Sequence, residues 1–102
     1  MIELTDDNFN EAREAEFAVV EFGATWCGAC RKLLPVLEEI EKDFETVLFA
    51  HVDIEKGKEL VKEFSISGLP TTLLMRNGEI YQRFTGLHPK SKIRVTIEAM
   101  MS

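Results

Sequence analysis

Cys27 and Cys30 are the only cysteines in 102 residues, and just two residues separate them. Before them runs an apolar stretch, Phe17-Ala18-Val19-Val20-Glu21-Phe22, which reads as a buried strand. After them Leu33, Leu34, Leu37, Ile40 and Phe44 recur mainly at three- and four-residue steps, the period of an amphipathic helix. The pair therefore falls where a strand ends and a helix begins. At such a place unpaired backbone N–H groups and the positive end of the helix dipole stabilise a thiolate. Cysteines at i and i+3 of a first helical turn share a face and can close a disulfide with little backbone movement. A dithiol with one exposed, acidic sulfur exchanges disulfides. Cys27, at the helix start, is the expected nucleophile, and Cys30, one turn inside, the resolving thiol.

Zinc is the main rival use of these residues. Cys27, Cys30, His51 and His88 together just make up four ligands. His51, however, lies in a second apolar run, Val47–Val52, and His88 lies beside a distant helix start, with no finger-like histidine spacing. We expect no metal and no bound cofactor, only a redox-active Cys27–Cys30 disulfide.

Composition narrows the field further. The length suits one domain, 1–102, with a single modest core. A net charge of −6 argues against nucleic acid or an anionic membrane as partner. No apolar run reaches the roughly 20 residues of a membrane span. Met1–Asp7 is acidic and unlike the basic and apolar regions of a signal peptide, so a cytoplasmic location is expected. In a reducing compartment a close cysteine pair is more often catalytic or metal-binding than a structural staple.

Ile2–Leu4 reads as a short strand, followed by a helix to about Ala15 that is capped by Thr5, with Asp6 and Asp7 in its first turn. The long helix is expected over about Cys27–Phe44, kinked at Pro35. Gly57 precedes a short helix, Lys58–Phe64. Thr71–Met75 and Ile80–Phe84 flank Asn77-Gly78, a dipeptide suited to the positive φ values of a tight hairpin turn. Pro89 stands at a first-turn position of a last helix, whose apolar stripe is Ile93, Ile97, Met100 and Met101. Buried strands separated by helices imply parallel pairing, and the hairpin makes the sheet mixed. The class is α/β.

Several of these segments resemble the thioredoxin family. Trp26-Cys27-Gly28-Ala29-Cys30 is similar to its Trp-Cys-Gly-Pro-Cys, and Gly68-Leu69-Pro70-Thr71 to its cis-proline loop. Arg76-Asn77-Gly78-Glu79 is similar to its hairpin turn, Pro35 to the proline of its long helix, and Gly86 to the glycine ending its last strand. The resemblance implies a thioredoxin fold, a central mixed five-stranded sheet flanked by four helices. It also implies protein-disulfide reduction by a monomer that draws electrons from a thioredoxin-reductase-type donor. An oxidant or isomerase on the same fold, and a non-enzymatic binding subunit, are the other readings.

By the same resemblance Leu69–Pro70 is cis, where sequence alone would make it trans. Trp26, Gly28, Ala29, Leu69, Pro70 and Gly86 would then form the substrate-binding surface. Tryptophan is usually well buried, so Trp26 as core residue stays open. The family carries a buried aspartate where this chain has Glu21, and that acid exchanges protons with the resolving cysteine. Because strand neighbours alternate faces, a solvent-facing Glu21 also stays open. His51 stands where the family often has lysine, as a partner that would tune the acid near neutral pH, or as an ordinary strand histidine. Ala29 replaces the proline, and Gly23 replaces a frequent second tryptophan.

Overall fold

The computed structural model describes residues 1–102. The elements run β1 (Ile2–Leu4), α1 (Asn10–Glu14), β2 (Phe17–Gly23), α2 (Gly28–Glu41), β3 (Leu48–Asp53), α3 (Lys58–Glu63), β4 (Thr71–Arg76), β5 (Glu79–Thr85) and α4 (Lys90–Met101). The five strands form one sheet in the order β1-β3-β2-β4-β5. β3 pairs in parallel with β1 and β2, while β4 pairs antiparallel with β2 and β5. This is the mixed five-stranded sheet with four helices expected from the sequence.

β2 is the central strand and is buried at all seven positions. Its alternation divides the core in two. Ala18, Val20 and Phe22 face Phe9, Ala12, Leu60 and Phe64, in and beside α1 and α3. Phe17 and Val19 face Leu33, Leu37 and Ile40 of α2 and Ile93, Ile97 and Met100 of α4. Each large side chain so buried contributes about 1.5–3 kcal/mol. Glu21 has the parity of Phe17 and Val19, so the pleat turns a carboxyl into the α2 face of the sheet.

Element ends differ from expectation in instructive ways. The Thr5 hydroxyl accepts from Asp7 N, as a cap would, but it closes only a turn, and α1 begins later, at Asn10. Asp6 serves another helix: its carboxylate accepts from Glu59 N at 3.2 Å and Leu60 N at 3.1 Å, capping α3, whose own cap residue is the side-chain-less Gly57. α2 stops at Glu41 rather than Phe44, because Lys42, Asp43 and Phe44 bond back to the carbonyls three residues before them and tighten the last turn. Pro89 is the cap residue of α4, with extended ψ of 140°, instead of lying in the first turn. At the hairpin, Asn77 (φ 51°) and Gly78 (φ 83°) take the left-handed values that sequence pointed to.

Candidate active site

Cys27 is the cap residue of α2, extended at φ −89° and ψ 111°, so its sulfur sits in front of the helix. The Cys30 backbone N–H donates to Cys27 Sγ at 3.2 Å. No acidic side chain occupies the first turn of α2 to offset the dipole. Both features favour negative charge on Cys27. The two cysteines are joined in a disulfide with Cα atoms 5.3 Å apart. Cys27 retains 8% of its surface and Cys30 only 2%, which makes Cys27 the sulfur an incoming group meets first. Arg31 Nη1 donates to the Thr25 carbonyl at 2.6 Å and ties the loop before the cysteines to the helix after them.

Two openings reach the disulfide from opposite partners. A groove of ≈ 410 Å³ borders Cys27 and is lined by Trp26, Ile54, Val61, Ile66, Ser67 and Leu69. Trp26 is 67% exposed there, which closes the core alternative. A smaller cleft of ≈ 250 Å³ borders Cys30, with Ala24, Thr25, Arg31, Leu34 and His51. The Leu69–Pro70 bond is cis. Gly86, at φ 82°, donates its N–H to the Pro70 carbonyl at 2.8 Å, linking the end of β5 to the proline loop. The left-handed backbone there explains the glycine. Gly28 and Ala29 fill the first turn of α2 between the cysteines. Ile54, Ile66 and Ser67 were not legible as groove residues, because isolated apolar or small residues in loops carry no periodic signal.

Glu21 is fully buried, so the solvent-facing alternative fails. It stands opposite His51 in the β2–β3 register, and His51 stands opposite Glu3 in the β1–β3 register. His51 Nδ1 and Glu21 Oε1 are 2.6 Å apart. The hydrogen bond to Glu21 raises the imidazole's affinity for a proton above its ordinary value against the opposing effect of burial, with smaller help from the charges of Glu21, Glu3 and Asp53. Glu21 Oε2 has no hydrogen-bond partner in the protein. A Cβ on Gly23 would stand 2.5 Å from that Oε2 and 3.1 Å from Cys30 Sγ. The free carboxylate oxygen and the sulfur of Cys30 are thus less than about 6 Å apart, no farther than a single bridging water reaches.

His88 is not drawn into this cluster. Its Nε2 lies 3.1 Å from the Thr85 carbonyl, and its ring packs at a tilt of 53° against Phe84. No group of three or more histidine, cysteine, aspartate or glutamate side chains is arranged to hold a metal ion. No helix is long and apolar enough to cross a membrane.

What this geometry defines is a dithiol oxidoreductase, in which two sulfurs open and reclose one bond beside an apolar groove. The family model described as Thioredoxin matches residues 1–99, and the chain belongs to the thioredoxin family. It is 33% identical to a thioredoxin of Listeria monocytogenes over 92 residues, covering 89% of each chain. It is 36% identical to one of Buchnera aphidicola over 97 residues, covering 92% of this chain and 90% of that one. Among solved structures, Fasciola hepatica thioredoxin superposes with a TM-score of 0.84 at 31% identity, covering 98% of this chain and 99% of that one. The protein is accordingly a thiol–disulfide oxidoreductase, of the kind that reduces protein disulfides.

Proposed function

We propose that Cys27 attacks a substrate protein's disulfide and that Cys30 resolves the mixed disulfide so formed. The observation that carries this division is the position of Cys27 at the α2 cap and on the apolar groove, with Cys30 inside the first turn. In the first step the Cys27 thiolate bonds to one substrate sulfur, and the other leaves as a thiolate that takes a proton from solvent. In the second, Cys30 gives its proton through a bridging water to Glu21 Oε2 and attacks Cys27 Sγ, breaking the bond from Cys27 to the substrate, whose second sulfur leaves as a thiolate and takes a proton from solvent. Two electrons pass from the dithiol to the substrate, and Cys27–Cys30 is left oxidised. Trp26, Gly28, Ala29, Leu69, Pro70 and Gly86 hold the substrate backbone along the groove. His51, paired with Glu21 through Nδ1, makes the site sensitive to pH.

A thioredoxin-reductase-type donor restores the dithiol, and the protein works as a monomer in the cytoplasm. Cys27 and Cys30 pair with each other and leave no cysteine over, and a close pair kept for disulfide exchange suits a reducing compartment. An oxidant or isomerase would use the same two sulfurs at a less reducing potential, the oxidant passing electrons the other way and the isomerase none in net, so equilibration against glutathione separates the readings. The roles of the cysteines are tested with Cys30→Ser and Cys27→Ser. Cys30→Ser should accumulate a covalent complex with a disulfide-containing protein, and Cys27→Ser should not. Equal trapping by both variants would overturn the assignment.

A further inference from the structure

Gly23 lies two residues beyond Glu21 on the same face of β2, and the space a side chain at 23 would need adjoins both the Glu21 carboxylate and Cys30. Its backbone is not left-handed, so no conformational demand calls for glycine here. The demand is one of space. The first carbon of any other side chain would stand 2.5 Å from Glu21 Oε2, well inside van der Waals contact, and 3.1 and 3.2 Å from Sγ and Cβ of Cys30. The other carboxylate oxygen is held by His51 at 2.6 Å, and the glutamate is fully buried, so moving the group away from Cys30 disturbs that contact.

We propose that Gly23 is a positioning residue for the resolution step, leaving unfilled the volume into which the Glu21 carboxylate reaches toward Cys30. Glutamate is one methylene longer than aspartate, and on a strand that extra length must be taken up within the space shared with the i+2 neighbour. The residue pair is therefore matched: a long acid at 21 requires the absence of a side chain at 23. This rests on Glu21 being the proton acceptor for Cys30, and the experiment keeps the two ideas apart. Because the atom in closest conflict is the far end of a flexible side chain, an added methyl should displace the carboxylate rather than the backbone.

The test is a cycle of Gly23→Ala and Glu21→Gln, each step of disulfide exchange followed by stopped flow. Gly23→Ala should fold, form the mixed disulfide at close to the normal rate and resolve it about tenfold more slowly, as expected for a misplaced proton acceptor. In the Glu21→Gln background the same alanine should slow resolution by less than about twofold, since no carboxylate remains to be displaced. Glu21→Asp combined with Gly23→Ala should recover most of the loss, the shorter acid clearing the methyl. Should Gly23→Ala resolve at the wild-type rate while Glu21→Gln is slow, the positioning role is overturned and the proton-acceptor reading survives. Should Glu21→Gln itself resolve normally, the proton-acceptor reading fails and takes the positioning role with it. An equal alanine effect in both backgrounds would assign the loss to direct pressure on Cys30, and failure of Gly23→Ala to fold would show that the carboxylate does not yield. Either result overturns the proposal.

Discussion

Glu21 and His51 face each other across the parallel pair β2–β3, with Nδ1 of the imidazole 2.6 Å from one carboxylate oxygen. The same carboxyl group presents its other oxygen, unpartnered, toward Cys30. One buried side chain thus joins an imidazole whose affinity for a proton is raised to the sulfur of Cys30. Around the imidazole stand Glu21 from β2, Glu3 from β1, Asp53 from its own strand and, across the smaller cleft, Arg31 of α2.

The Glu21–His51 contact should make stability fall as pH rises. The imidazole binds its proton more tightly in the folded chain than its ordinary value of 6.5. Its contribution is therefore complete below about pH 6.5 and lost as pH rises through the higher folded value. A hydrogen bond to a charged group is worth about 1.5–3 kcal/mol, so His51→Gln should cost of that order at about pH 5.5 and much less at about pH 8.5. Denaturant unfolding of both proteins at the two pH values measures it. A constant difference would mean that the pair contributes no pH-dependent stability.

Glu21→Gln should leave the fold intact and slow only the release of substrate. The amide nearly preserves the shape of the acid but cannot accept the Cys30 proton, so resolution should fall by about 10²-fold, most visibly below neutral pH. Attack by an already ionised Cys27 needs no such help. Stopped-flow records of both steps, across pH, check this. Wild-type rates in both would send the proton directly to water.

Replacing Ala29 by proline should make the protein more reducing. Ala29 is the second residue of α2, in the turn whose N–H groups have no intrahelical partner, so a ring there removes no helical bond. Fixing φ restricts the turn that the dithiol otherwise explores. The expected change is about 30 mV, equivalent to about 1.4 kcal/mol for two electrons. Equilibration of both forms with glutathione gives the value, and a more oxidising couple would contradict the argument.

Asp6→Ala should destabilise the protein by about 1 kcal/mol through the loss of the α3 cap. The carboxylate takes up two otherwise unpaired N–H groups, those of Glu59 and Leu60. Val61, in the same helix, lines the apolar groove beside Cys27, so fraying of α3 should weaken substrate binding more than it slows the chemistry. Thermal unfolding and the substrate dependence of reduction would reveal both effects. An unchanged melting temperature would show that water caps the helix as well.

Local sequence determined the strand-to-helix junction of the cysteines, the Asn77-Gly78 turn and the apolar faces of the helices. These depend on neighbours within a few residues, where periodicity, caps and left-handed φ leave a direct imprint. It also determined the fold class, since buried strands joined by helices can pair in few ways. What only the tertiary structure decided lies between strands. Alternation allowed Glu21 either face, and the packing of α2 over the odd positions of β2 put it inside. Register, not sequence distance, set His51 beside it across thirty residues. Asp6, placed by its sequence in the first helix, caps a helix more than fifty residues away because β1 delivers it there. Gly23 carried no local signal at all, since its meaning is the volume it leaves to a carboxylate and a sulfur. Side chains contributed by separate elements meet only when the sheet has assembled, and their chemistry is written in that meeting.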